Sequence, residues 1–335
     1  MRLRSGLLNT GTILCLVVAI LATFGLSRSF ATEMTPAVPA WLTAHMGDGD
    51  DQIAPVVLQR ARALYLQKVG AGAVSNPCYF AMDATRPNNL GDGGPGNRFY
   101  IICEASRTFR AISSGHGGGR ILKGIADFSD DRQCAKNFSN AQGSYLTAGG
   151  AYVTAETKTG FKGYYRTSGK GTAILMRTFI QFDGEGETGN ARPRAIGGHA
   201  AVLLRNACLL HDPGSPYATG DGYVPLGTLV NYAGGRSDGC TSWSPTDAQD
   251  IVGMVADDPT TLYIYPEAAD INAVAHAVAA GRSLPGAGLY WNTACLKEIK
   301  APKFWPKETL EPLIAQYDRD HPAPPPRPIP ICPGQ

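Results

Sequence analysis

Cysteine limits what this chain can become more than any other residue type. Eight cysteines run from Cys15 to Cys332, and bonds among them would fix segments far apart in sequence. Their meaning turns on the N-terminus. Arg2 and Arg4 form a positive start, Gly11 to Leu26 is an uncharged, mostly apolar run of 16 residues, and Ser29-Phe30-Ala31 offers small residues where a signal peptidase reads. The run is shorter than the ~20 apolar residues a spanning helix prefers. Residues 1–31 therefore read as a secretory leader, so that the membrane is met only transiently, during export. Ile13-Leu14 before Cys15 are not the small residues a lipoprotein site needs.

Cleavage leaves Cys78, Cys103, Cys134, Cys208, Cys240, Cys295 and Cys332, an odd number. In an oxidising compartment the simplest partition is three disulfides and one thiol kept free. An unpaired buried cysteine or an intermolecular bridge is the alternative, and spacing alone selects no pairing. Losing the leader also removes Arg2, Arg4 and Arg28, which takes the net charge from +2 to −1. A near-neutral chain carries no electrostatic argument for nucleic acid.

Residues 32–90 read as an extended arm followed by a helix. Asp48-Gly49-Asp50-Asp51 lacks the twelfth-position Glu of a calcium loop and reads as a turn. Apolar residues from Ile53 to Val69 repeat at helical spacing, with Pro55 tolerable only in the first turn. Residues 91–285 alternate strands with glycine-rich turns. The best strands are 98–103, 108–113, 151–155, 173–182, 194–205 and 261–265. Ser244-Pro245-Thr246-Asp247 opens a helix with a capping serine, proline at the first position and an acid three after the cap. A second helix spans 267–280. Residues 286–335 hold a last helix near 307–317 and a proline-rich extended tail, fastened by Cys332. The class is mainly β (α+β), with flanking helices.

Chemistry concentrates at Gly234-Gly235-Arg236-Ser237-Asp238-Gly239-Cys240-Thr241-Ser242-Trp243. Glycines ahead of a cysteine let a tight turn present the thiol beside exposed amides, as a nucleophile with an oxyanion hole requires. The start of the Ser244-capped helix, close downstream, would favour thiolate. A base must come from histidine. His45, His276 and His321 lie in the arm, an Ala/Val helix and the tail, whereas His116, His199 and His211 lie in the core segment. His199 sits in a strand, and His211 could reach the same thiol from a loop. No H-x-x-x-H or H-x-x-E spacing marks these histidines as zinc ligands, so no metal is expected.

Several ordered blocks carry a family resemblance: Ser114-Gly115-His116-Gly117, Asn137-Phe138-Ser139-Asn140 with Gly143-Ser144, Asn190-Ala191-Arg192-Pro193-Arg194-Ala195-Ile196 leading to His199, and Arg236-Ser237-Asp238-Gly239-Cys240. In these the chain resembles the secreted murein L,D-transpeptidases, in the divergent branch of the YkuD-type catalytic domain. The likeness covers roughly Arg98 to Ser244. It implies a YkuD-like β-sandwich or barrel core, Cys240 as nucleophile, His199 as its activating base, and Gly239 and Ser237 shaping the turn. His116, Arg194, Arg236, Asn140 and Ser139 belong to the same blocks and are expected to bind substrate.

The reaction so implied is attack of Cys240 on the bond between the L-centre of meso-diaminopimelate and D-alanine. A thioester forms and an amine of a second stem peptide resolves it. Partners would be peptidoglycan stem peptides, carbapenem-type β-lactams would acylate the cysteine, no cofactor is implied, and the setting would be secreted or periplasmic. Hydrolysis by the same thioester (an L,D-carboxypeptidase) and a non-catalytic, disulfide-rich wall-binding protein are the alternatives.

Three features depart from the family pattern. Asp238 stands where the family has histidine, Ser242 where it has Arg or Asn, and His199 lies 41 positions before Cys240, a longer spacing than usual. The intervening Cys208-Leu209-Leu210-His211-Asp212-Pro213-Gly214 reads as an inserted loop pinned over the site by a disulfide.

Overall fold

Pro55 opens the first long helix of the computed structural model, which describes residues 37–89, 96–130, 133–169 and 171–333. The leader assigned to 1–31 lies outside the described residues. A single turn, α1 (Ala40–Thr43), precedes α2 (Pro55–Gly70). Proline at the first helical position gives up no hydrogen bond, and α2 buries Val57, Leu58, Ala61 and Leu64.

Three strands follow as an antiparallel meander: β1 (Cys78–Asp83), β2 (Asn97–Cys103) and β3 (Thr108–Ser113). Short pieces come next: β4 (His116–Gly117), β5 (Ile121–Leu122), β6 (Ala126–Asp127) and β7 (Asn137–Phe138). Two long strands, β8 (Gly150–Arg166) and β9 (Thr172–Gly184), form a hairpin. Then come β10 (Gly197–Ala200), β11 (Val202–His211), β12 (Tyr223–Asn231), β13 (Arg236–Ser237) and β14 (Thr241–Trp243). The chain closes with α3 (Pro245–Val255), β15 (Thr261–Tyr265), α4 (Ala268–Ala279), α5 (Thr293–Ile299), β16 (Lys303–Phe304) and α6 (Lys307–Asp320).

The main sheet runs β14-β10-β9-β8-β15-β1-β2-β3, and the β11–β12 hairpin joins it where Leu226 and Gly227 pair with Tyr164 and Tyr165. It is mixed, since β1 and β15, and β10 and β14, run parallel. Both faces of its centre are covered. Tyr79, Ala81, Tyr100, Ile102, Tyr263 and Tyr265 meet α2 on one side. Phe80, Met82, Phe99, Ile101, Leu262 and Ile264 meet Ile251 and Val255 of α3, Ile271 and Val274 of α4, and Ile299 of α5 on the other. This is the period-two alternation of a strand buried twice over.

The fold is α+β with strands dominant, and the sheet does not close into a barrel. Expected strands at 98–103, 108–113 and 261–265 are present, and those at 151–155 and 173–182 lie inside longer ones. The expected strand over 194–205 is a correction. Residues 194 and 195 lie in a turn, Ile196 is irregular, and the remainder divides into β10 and β11 at Ala201, whose backbone bonds to Trp243 and Tyr232 rather than along one ladder. The inserted loop at 208–214 is corrected too: Cys208 to His211 end β11 in register with β12.

Disulfides join Cys78 to Cys103, Cys134 to Cys295 and Cys208 to Cys332. The first links residues directly opposite on β1 and β2. The last fastens the extended tail along β11, where Leu209 N–H bonds to Pro330 O at 2.7 Å. Cys240 is the free cysteine among the described residues. The three bridges indicate an oxidising, extracytoplasmic setting, and no described helix is long and apolar enough to cross a membrane.

Candidate active site

The turn from Arg236 to Trp243 is held on both sides by parallel strand pairing. β13 lies along β4, with Arg236 opposite His116, while β14 lies along β10, with Ser242 opposite His199. Cys240 sits between the two ladders. Gly239, just before it, has φ +107°, and a Cβ there would stand 2.8 Å from Ile196 Cδ1 and 2.9 Å from Leu146 O. Only glycine fits. Ser237 Oγ donates to the Cys240 carbonyl at 2.5 Å, which fixes the turn from inside.

His199 enters the same cavity from β10, in register with Phe179 of β9. Its Nδ1 lies 2.9 Å from Ala200 O. A carbonyl can only accept, so Nδ1 carries the proton and Nε2 keeps its lone pair. Burial lowers the His199 pKa, with Arg177 adding to the effect and Ala200 and Asp238 opposing it. The ring is therefore neutral at neutral pH and able to take a proton. Burial likewise pushes the Cys240 thiol up; the Gly197 amide lowers it, Asp238 raises it, and Arg194 and Arg177 lower it. The cavity thus holds a neutral thiol and a neutral imidazole at rest, and the thiol's own hydrogen bond runs from Sγ to Ala195 O at 3.5 Å. Ala195 adopts φ +53°, a left-handed conformation that costs about 1 kcal/mol in a residue bearing a Cβ and turns that carbonyl toward the sulfur.

The cavity over the thiol has a volume of about 780 Å³, and its walls include Arg177, Arg194, Arg205, Arg236, Tyr232 and Asp238. Four guanidinium groups against one carboxylate give its walls an excess of positive charge, the arrangement that suits anionic groups. Arg194 is partly spent on structure: its guanidinium donates to Leu146 O at 2.7 Å and to Ser139 O at 3.3 Å. Arg236 donates to Asp130 O at 3.3 Å and is otherwise exposed.

Cys240, His199, Ser237, Arg194 and Arg236 are thus brought together, whereas three expected substrate contacts are not. His116 is fully buried behind the turn, where Arg98 Nη2 donates to its Nδ1 at 2.8 Å. Burial, then the charges of Arg98 and Arg236, hold its pKa well below the usual value, so it is a neutral prop. Ser139 is buried and donates to Trp305 O at 2.7 Å. Asn140 Nδ2 donates to Glu187 O at 2.6 Å, away from the cavity. The Phe-Ser-Asn block builds the socket for Arg194.

His211 is also displaced as a base. It lies nine residues beyond Val202 along β11, roughly 30 Å of strand, and packs on Tyr223. The helix behind the site is closed rather than open: Ser244 accepts from Asp247 N at 3.1 Å, and Asp247 pairs with Arg110. Arg177, Arg205 and Tyr232 are not among the expected residues: strand register delivers the two arginines, and Tyr232, just past β12, is held by its amide bond to Ala201 O. Searches for similarity found no matching family model, no matching curated protein and no matching solved structure.

Proposed function

We propose that the chain is a cysteine acyltransferase of the cell envelope acting on peptidoglycan stem peptides, in the manner of the YkuD-type L,D-transpeptidases it resembles. One observation carries the reading. The single unpaired cysteine among the described residues lies on a glycine-dependent turn in an arginine-lined cavity, with a histidine whose proton is committed to the other ring nitrogen.

His199 Nε2 takes the Cys240 proton as the sulfur attacks the carbonyl between the L-centre of diaminopimelate and D-alanine. Because burial holds the thiol protonated, deprotonation accompanies attack rather than preceding it. The imidazolium returns its proton to the departing D-alanine amine, which leaves a thioester on Sγ. Arg177 and Arg236 match the carboxylates of the stem, which a neutral cavity would leave desolvated and unpaired.

Carbapenem challenge followed by intact-mass measurement tests this. One adduct per chain is expected on the native protein and none on Cys240→Ala. A folded, reduced chain that gains no adduct would favour the wall-binding alternative.

A further inference from the structure

A second cavity of about 380 Å³ opens beside the first and shares Arg177, Phe179 and Ala195 with it. Its other walls are Lys158, Thr159, Gly160 and Lys162 of β8. The sheet explains its shape. Lys158 stands opposite Phe179 and Gly160 opposite Arg177 on β9, where alternate residues share a face, and Lys162 is the extra residue of the bulge between Phe161 and Gly163. Gly160 supplies no side chain between the two lysines. A Cβ there would meet nothing nearer than Lys162 Nζ, at 3.8 Å. The missing side chain is the groove.

Three cations and no carboxylate line this groove. Lys158 approaches Glu156 at 3.5 Å, but that carboxylate is already held by Arg192 at 2.7 Å. The inner end is Ala195, whose carbonyl accepts from Cys240 Sγ. A ligand lying along β8 would therefore meet the first cavity at Ala195, beside the thiol and away from the Arg236 and Ser237 wall that the groove does not share.

We propose that this groove binds the acyl acceptor: an anionic peptide whose carboxylates meet Lys158 and Lys162 and whose free amine reaches Cys240, with Arg177 standing at the junction with the donor's cavity. The inference rests on the acyltransferase reading above and adds the second substrate's site. The amine nitrogen forms the new C–N bond as the C–Sγ bond breaks. The proton released by that amine passes through His199 Nε2 to the sulfur, which regenerates the thiol. Without an occupied groove, water takes the acyl group instead, so the groove sets transfer against hydrolysis.

The test follows the full-length chain with a diaminopimelate tetrapeptide stem serving as both donor and acceptor, recording the thioester by intact mass and the ratio of cross-linked dimer to hydrolysed tripeptide. In the native protein that ratio rises with stem concentration and saturates. Lys158→Glu with Lys162→Glu lowers it about tenfold or more, the loss of one or more charge-assisted contacts. Gly160→Tyr fills the groove and lowers it likewise, while the exposed Lys123→Glu leaves it unchanged. A ratio unmoved in both groove variants, with thioester formed, overturns the acceptor site alone. Absence of any thioester on the native Cys240 overturns the acyltransferase reading, and the groove's role with it, at a step before an acceptor enters.

Discussion

The same residue type does opposite work in two regions of this molecule. In the frame, six cysteines are joined in pairs, one bridge across adjacent strands and two over separations of 161 and 124 residues. In the turn between β13 and β14, Cys240 has no covalent partner, and its sulfur meets a carbonyl and an amide. The frame packs a large apolar core, although Thr261 Oγ1 and Trp291 Nε1 within it are buried without a hydrogen-bond partner. Around the turn His116 Nε2 and Ser242 Oγ are buried without one too, and both lie in the segments that hold Cys240. Unmet polar groups and a left-handed Ala195 destabilise, and a covalently tied frame can tolerate them. Stability and chemistry are thereby assigned to different parts of the chain.

Substitutions that strike one region and not the other break or sharpen that contrast. The largest effect is expected from Cys240→Ala, which removes all acyl transfer while leaving the melting temperature near its native value, as activity and calorimetry together would read. Losing the Cys134–Cys295 bridge by double alanine substitution is expected to cost about 5 kcal/mol from loop length alone, measured by denaturant unfolding. Yet thiol alkylation at Cys240 should persist wherever the chain stays folded. Removing Cys208–Cys332 should cost less than its comparable loop length implies, because the exposed tail can undock while the rest holds.

Smaller effects divide the turn itself. His199→Gln should slow acylation about 100-fold without altering stability comparably. The alkylation rate of the native thiol should climb with pH through and past the ordinary thiol range, because burial disfavours the thiolate. Asp238→Asn removes a charge that opposes the thiolate, so alkylation at neutral pH should accelerate about threefold. Ser244→Ala, which uncaps α3 behind the turn, should cost only about 1 kcal/mol of stability.

What the sequence disclosed followed how locally each feature is determined. Pro55 and Ser244 mark helix starts through chemistry within four residues, and both helices begin where expected. Three bridges and one free thiol followed from an odd count, and the Gly239-Cys240 pair pointed to the thiol left over. The strand β12 is not among the expected ones: Pro225 and Gly227 interrupt its strand-like pattern, although its pairing with β11 accommodates both. β10 and β11 merged into one expected strand because nothing in Ala200-Ala201-Val202 signals a change of partner. The arginines of the cavity were illegible for a deeper reason. Arg177 and Arg205 line the cavity through the register of β9 and β11, a long-range property that no window of residues contains. His116 offered two readings, a structural histidine in a glycine turn or, from its family block, a substrate contact, and its burial against Arg98 selects the first.

Everything depends on whether Cys240 carries the acyl group, and one measurement addresses that directly. The chain is incubated with a tetrapeptide stem, quenched in acid, weighed intact and mapped by peptide digestion, with free D-alanine counted in the same sample. A tripeptide acyl group on Cys240, accompanied by stoichiometric D-alanine, is the result expected. Release of D-alanine at the native rate by Cys240→Ala, or none at all from the folded native chain, would contradict it.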